Sequence, residues 1–297
     1  MTGKIQAMKR WLVIFAGTLL QGAVLLVAQQ PQAATPTPAP ASSRRPPQAR
    51  TQPEFKDYNT AYAVTGGAAM EKAANDFAEK YPGSELRPFL FSKAMHEYQN
   101  ENNTDKMLAM GEKVLTLDPD NTVALVLTAT VLSDNLTDAQ PDRAQRITEI
   151  KKKAHRALDT VDVSVVPPQG STAEQMAAYK DTLRYMAHSA LGITALKSDD
   201  NPGAEKEFRI AAELSQAQPD PFVWYHMALA QDHQGKYPEA LASVNQALQY
   251  TGSNPELGKL AANERQRLVD LTAPAPSGSP APSGSPAPQP SPSQPPH

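Results

Sequence analysis

A helical pattern recurs along this chain at shifts of 34 and 36 residues, and that self-similarity narrows the available folds more than any composition could. The clearest unit runs from Phe222 to Leu248. Trp224, Met227 and Ala228 mark its first helix, Gly235 its turn, and Tyr237, Ala240, Val244 and Ala247 its second helix. Pro238 falls in the first turn of that second helix, where a missing N–H costs little. Thirty-six residues earlier, His188, Leu191 and Gly192 answer the first helix, and Ala204, Phe208 and Ala211 answer the second. A third unit stands at Phe91, Ala94, Met95, Tyr98, Met107, Val114, Leu117 and Pro119, with Asn102-Asn103 at its turn. A fourth follows 34 residues on, where Leu125, Thr128, Ala129 and Leu132 match Phe91, Ala94, Met95 and Tyr98. Its second helix comes late, after an insertion near Ser133–Asp142, and ends on Ala154, Ala157 and Leu158.

Small residues at these positions let two antiparallel helices approach, and large ones fill the groove left by the next hairpin. One hairpin alone cannot bury such a face, so the units must stack. The residues just named resemble the tetratricopeptide repeat, with the 221–254 unit the most specific. The resemblance covers most of residues 54–272 and implies an all-α fold, an α-solenoid of helix hairpins. Ahead of these units, Asp57–Tyr81 reads as a weaker helix pair broken at Gly66-Gly67. The stretch from Tyr81 to Leu86 resembles the inter-unit break of periplasmic tetratricopeptide proteins. Behind them, Pro255–Leu271 reads as a solvating cap helix, with Asn254 as N-cap and Glu256 in its first turn. Residues 159–171, with Val165-Val166-Pro167-Pro168, depart from the family spacing and read as an irregular loop.

The ends differ in kind. Seventeen of the 28 prolines fall in residues 29–53 and 273–297. Residues 29–53 hold hardly any large apolar side chain and read as an extended spacer. Residues 273–297 repeat Ala-Pro-Ser-Gly-Ser-Pro twice and read as a disordered Pro/Ser/Ala/Gly-rich tail. At the front, Lys4, Lys9 and Arg10 precede a nearly uninterrupted apolar run from Trp11 to Ala28. Residues 1–28 therefore read as a signal peptide, cut between Ala28 and Ala34, or as an uncleaved anchor that tethers the chain to the inner membrane through residues 11–28. Either alternative exports the body, to the periplasm or cell envelope.

A formal net charge of −3 gives no global field to attract a polyanion, so nucleic acid is not expected as a partner. The chain has no cysteine, which excludes disulfides, thiol nucleophiles and Cys-ligated metals. His226 and His233 share a helix but stand about 10 Å apart at the backbone, too far for an ordinary chelate. His188 occupies a repeat position and reads as a core histidine. No phosphate loop or nucleophile elbow occurs in 54–272, and neither a cofactor nor a metal is implied. Arg143, Arg146, Lys151, Lys152, Lys153 and Arg156 form a basic helical segment, read as a solvated face, with an acidic partner or anionic headgroups as the alternative.

The tetratricopeptide resemblance implies a non-catalytic scaffold or adaptor that binds another envelope or exported protein, or a peptide, on a concave face lined by first helices. Carried over residue by residue, that face is Phe89, Ser92, His96 and Gln99, then Val126 and Thr130, then Ser189 and Ile193, then Tyr225, Leu229, Asp232 and His233. The set lacks the Lys, Arg and Asn clamp with which some family members hold a C-terminal carboxylate. Two other readings stay open. One is structural self-association through exposed repeat faces. The other is a hydrolase with a site near residues 159–190, where Tyr179, Asp181, Arg184 and Tyr185 supply polar groups.

Overall fold

The computed structural model describes residues 44–166 and 170–273. The signal or anchor segment 1–28, the spacer up to residue 43 and the tail from 274 onward lie outside the described residues, as do residues 167–169. Seven of the eleven α-helices within the described residues begin where the sequence supplies a side-chain acceptor for orphan N–H groups. Thr51, Asn103, Asn121, Thr172, Asp200, Asp220 and Asn254 each accept a backbone N–H from the turn that follows. Thr172 and Gln175 complete a reciprocal capping box.

The helices are α1 (Gln52–Tyr62), α2 (Gly67–Lys80), α3 (Arg87–Asn100), α4 (Thr104–Leu117), α5 (Thr122–Asp134), α6 (Arg143–Ser164), α7 (Ala173–Leu196), α8 (Asn201–Leu214), α9 (Pro221–Asp232), α10 (Tyr237–Gln249) and α11 (Pro255–Thr272). No strand occurs among the described residues. Each helix packs on the next. First helices also touch across units, α1 on α3, α5 on α7, α7 on α9 and α9 on α11. Five hairpins and a closing helix therefore stack as an all-α solenoid. Short turns inside the hairpins use a left-handed residue: Asn102 at φ 55°, Asp199 at 59° and Gly235 at 72°.

The repeat positions are the core. Ala204 and Ala240, Phe208 and Val244, and Ala211 and Ala247 are paired by the 36-residue shift, and all six are fully buried. Leu125, Thr128, Ala129 and Leu132 are buried like their counterparts in the preceding hairpin. Gly192 answers Ala228 because the Phe208 ring occupies the space: a Cβ built on Gly192 would stand 2.7 Å from that ring. Trp224 and His188, also paired by the repeat, are half-buried. His188 is thus not the enclosed core histidine expected: its Nδ1 lies 2.6 Å from a Glu207 carboxylate oxygen.

Two expectations change at the third hairpin. The stretch read as an irregular loop over 159–171 is helical to Ser164, so α6 runs 22 residues and α7 24. The segment read as a solvated basic face is largely paired. Lys153 is buried against Glu112 at 2.6 Å, Arg156 meets Asp120 at 2.5 Å, and Arg146 meets Asp142 at 2.8 Å. Lys151 and Lys152 stay exposed.

The insertion between α5 and α6 removes the tight turn that holds the other hairpins, and a lysine replaces it. Lys197, at the C-terminus of α7, donates to the Ser133 carbonyl at 2.9 Å and to the Asp134 carbonyl at 2.7 Å, capping α5. Arg143 at the start of α6 donates in turn to the Lys197 carbonyl. Burial pushes the Lys197 ammonium below the ordinary lysine value. Lys197→Ala withdraws this donor from the end of α5 and is expected to cost about 1–3 kcal/mol, measurable as a lowered urea midpoint at unchanged helicity. An unaltered midpoint would show that water replaces the cap at no cost.

Residues 44–51, the described end of the expected spacer, contact the edge where the inter-hairpin turns lie and belong to no helix or strand. The Arg44 N–H donates to the Val163 carbonyl at the end of α6, and its guanidinium meets Asp118 at 2.6 Å and Asp120 at 3.7 Å in the α4–α5 turn. Arg45 donates to both Glu85 carboxylate oxygens, at 2.8 and 3.0 Å, in the α2–α3 turn. Among the described residues, no helix is long and apolar enough to cross a membrane.

Candidate functional site

First helices supply the residues that the repeat places on one face, and only part of that face is open. On α3, Phe89, Ser92, His96 and Gln99 recur at spacings of three and four, which aligns them along one side of the helix. Phe89 is 37 % exposed, a large side chain left without a covering element, and the other three are half-buried. Lys93 sits one turn from Phe89. Its ammonium lies 4.9 Å from the Tyr62 ring centroid and donates to the Val64 carbonyl at 2.7 Å and to the Tyr62 carbonyl. That contact commits the charge to the end of α1 and sets Tyr62 beside the α3 strip.

The other side of the same corner is held by carboxylates. Gly66, at φ +85°, donates its N–H to Glu97 at 3.1 Å, and Gly67 donates to Glu101 at 2.6 Å. Two orphan N–H groups at the start of α2 are thereby satisfied from α3. A Cβ on Gly67 would clash with the Tyr98 ring, so glycine is required for this approach. His96 Nδ1 lies 3.3 Å from Gln99 Oε1 and donates to it when that nitrogen carries the proton. Burial pushes the His96 imidazole below the ordinary histidine value, against the Gln99 hydrogen bond and the Glu97 charge. At neutral pH the strip therefore offers an uncharged imidazole, an amide, a hydroxyl and an exposed phenyl ring. Such a set can hold apolar side chains and hydrogen-bond a peptide backbone.

The remaining expected lining residues do not continue this strip. Val126, Thr130, Ser189 and Ile193 are buried, and they are corrected here to interior positions. The cause is the packing of α5, which carries no charge before Asp134 and is enclosed by α4, α6 and α7. A helix apolar on all sides is covered on all sides. In the last hairpin the cap helix takes over. Asp232 is ion-paired with Arg267 of α11, which also meets Glu264 at 2.8 Å. Tyr225 packs against the cluster that includes Ala261 and Leu268 of α11. Burial and the nearby Glu264 charge push its phenol above the ordinary tyrosine value. Leu229 is half-buried, and His233 is exposed with Nδ1 3.2 Å from Asn201 Oδ1. Tyr62 and Lys93 were missed in sequence, although Lys93 lies one turn from both Phe89 and His96.

The polar groups near residues 159–190 are engaged in joining helices. Arg184 bridges Asp181 and Asp162, both at 2.7 Å, tying α7 to α6, and the Tyr185 hydroxyl donates to Asp220 at the start of α9. Among the described residues, no group of three or more His, Asp or Glu side chains is placed to hold a metal ion.

No family model matches the chain, and no curated protein matches it. Among solved structures, it is similar to a thermophilic TPR protein of Thermus thermophilus, at 12% sequence identity and a TM-score of 0.43. The match covers 71% of this chain and 98% of that one. The solenoid architecture rests on the helix pairing and the buried repeat positions themselves.

Proposed function

We propose that this chain is a non-catalytic protein-interaction scaffold whose binding strip is the open face of α3, bordered by Tyr62. The observation that carries the reading is the strip itself: Phe89 exposed among half-buried Ser92, His96 and Gln99, on a rigid stack of hairpins. An exposed aromatic flanked by neutral hydrogen-bonding groups suits an extended or helical peptide with an apolar anchor. The partner is an envelope or exported protein or peptide. That placement rests on the basic start Lys4, Lys9 and Arg10 and the apolar run Trp11–Ala28, which direct export with the segment either cleaved or kept as a tether. Self-association is the competing use of the same face, and concentration-dependent mass in solution would report it.

A random peptide library displayed against the full chain tests the reading. Enriched peptides are expected to carry an apolar anchor and to bind Phe89→Ala,His96→Ala at least ~10-fold more weakly, with helicity unchanged; about 1.4 kcal/mol corresponds to that loss. No enrichment, or binding indifferent to the double substitution, would remove α3 as the site.

A further inference from the structure

The segment 44–50 has the form of a peptide bound to a protein surface. Its sequence is Arg44-Arg45-Pro46-Pro47-Gln48-Ala49-Arg50, outside any helix or strand, and its contacts run from the third hairpin back across the second to the first. Its contacts are with backbone and carboxylate groups of three successive units. The Arg44 N–H donates to the Val163 carbonyl at 3.2 Å, the Gln48 N–H to Glu85 at 3.3 Å and the Arg50 N–H to Glu54 at 2.7 Å. Arg44 answers Asp118 and Asp120, Arg45 answers Glu85, and the Arg50 guanidinium lies over Gly83, where a Cβ would come within 2.8 Å. Pro47 is half-buried, and Ala49 packs on the main core cluster. Prolines keep such a segment extended without any partner strand, so little order is lost on docking.

We infer that the turn edge formed by Glu85, Asp118, Asp120 and the Val163 carbonyl is a docking surface for an extended arginine- and proline-containing segment of a partner, and that residues 44–50 occupy it as an intramolecular ligand. The chemistry of the edge fixes the kind of partner. Three carboxylates are spaced along it, and Arg156, at 2.5 Å from Asp120, is the one basic side chain of the helices among the described residues that is ion-paired with any of them. The surface therefore favours a cation-bearing strand over an acidic or purely apolar one. Ion pairs this exposed contribute little singly and are screened by salt. Attachment of the segment to α1 compensates, because a tethered ligand competes at an effective concentration in the millimolar range. The edge is closed to weak competitors at low salt and becomes available when the arginines are displaced. This second surface is separate from the α3 strip and stands whether or not that strip binds peptide.

The probe is a fluorescein-labelled peptide with the sequence of residues 42–51, titrated into the full chain and into full-chain Arg44→Glu,Arg45→Glu, with anisotropy read at low salt. Little binding to the wild type and at least ~10-fold tighter binding to the charge-reversed chain are expected, since the reversal empties the edge. Adding Asp118→Lys to that chain, or raising salt to about 0.5 M, is expected to abolish the gain. Circular dichroism of each variant verifies that the helices are intact. Equal binding to both chains, or none to either while both are folded, would overturn the inference. A wild-type mass that rises with concentration and falls back in the charge-reversed chain would replace the intramolecular assignment with exchange of this segment between copies.

Discussion

Phe208→Ala is expected to cost about 3–5 kcal/mol, the largest single-residue effect in the fourth and fifth hairpins. The ring is fully buried, fills the space left by Gly192 on α7, and stacks on His226 of α9 at a centroid distance of 5.7 Å. Removing it opens a void across three helices at once, and neither the α7 backbone nor the stacked imidazole can close it without shifting a whole hairpin. The effect should be local before it is global, because stacked repeats depend mainly on their neighbours. Trp224 packs on the same cluster, so its fluorescence is the sensitive reporter. Its urea transition is expected to move well below the helical transition followed by circular dichroism. Coincident transitions shifted by less than ~1 kcal/mol would show that Phe208 is not the keystone of this region.

A second large effect is expected in acid. Glu205 on α8 is nearly buried, and it accepts from Gln231 at 3.2 Å, Gln234 at 3.0 Å and Lys236 at 2.7 Å, while Arg209 pairs with it at 2.8 Å. Burial opposes ionisation of this carboxyl, but the hydrogen bonds from Lys236, Gln231 and Gln234 outweigh it and hold its pKa down to about 2. Ser243 of α10 extends the network by donating to Gln231 at 2.7 Å. A carboxyl whose pKa is lower folded than unfolded contributes stability above its unfolded value. That stability is fully present above about pH 4.5 and drains away as pH falls toward 2, by about 3 kcal/mol over the window. Glu205→Gln is expected to be less stable at pH 7 and to lose less between pH 4.5 and 2. Parallel stability profiles for the two chains across that window would refute the assignment.

The fold was legible because packing repeats itself. Ala204, Phe208 and Ala211 could be placed in the core from their match to Ala240, Val244 and Ala247, since each pair meets the same neighbours one unit apart. The candidate binding face was less legible for a related reason. Carrying one hairpin's accessible positions onto the next assumes that every first helix has the same surroundings, and α5 does not. Its run Thr122–Ser133 holds no charge, a sign of enclosure on every side that the repeat alignment passed over, and Val126 and Thr130 are interior as a result. Asp232 and Tyr225 show the effect of an end: the cap helix α11 occupies the place that a further hairpin's first helix would leave open. On α3, Phe89 stays exposed, with Ser92, His96 and Gln99 half-buried beside it. The contact of residues 44–50 with the turn edge had no sequence signal, because Arg44, Glu85 and Asp118 are far apart along the chain and belong to no repeat.

The course of residues 44–50 also has a mechanical consequence. Tension applied to the chain ahead of Arg44 reaches the Val163 carbonyl and Asp118 first, then Glu85, and only afterwards the first turn of α1. These contacts break in succession, as in peeling, and each is individually weak. Seven residues of slack, about 20 Å at the rise of an extended chain, are released before any helix bears load. A pull arriving from ahead of Arg44 would thus load these contacts before it loads the first hairpin.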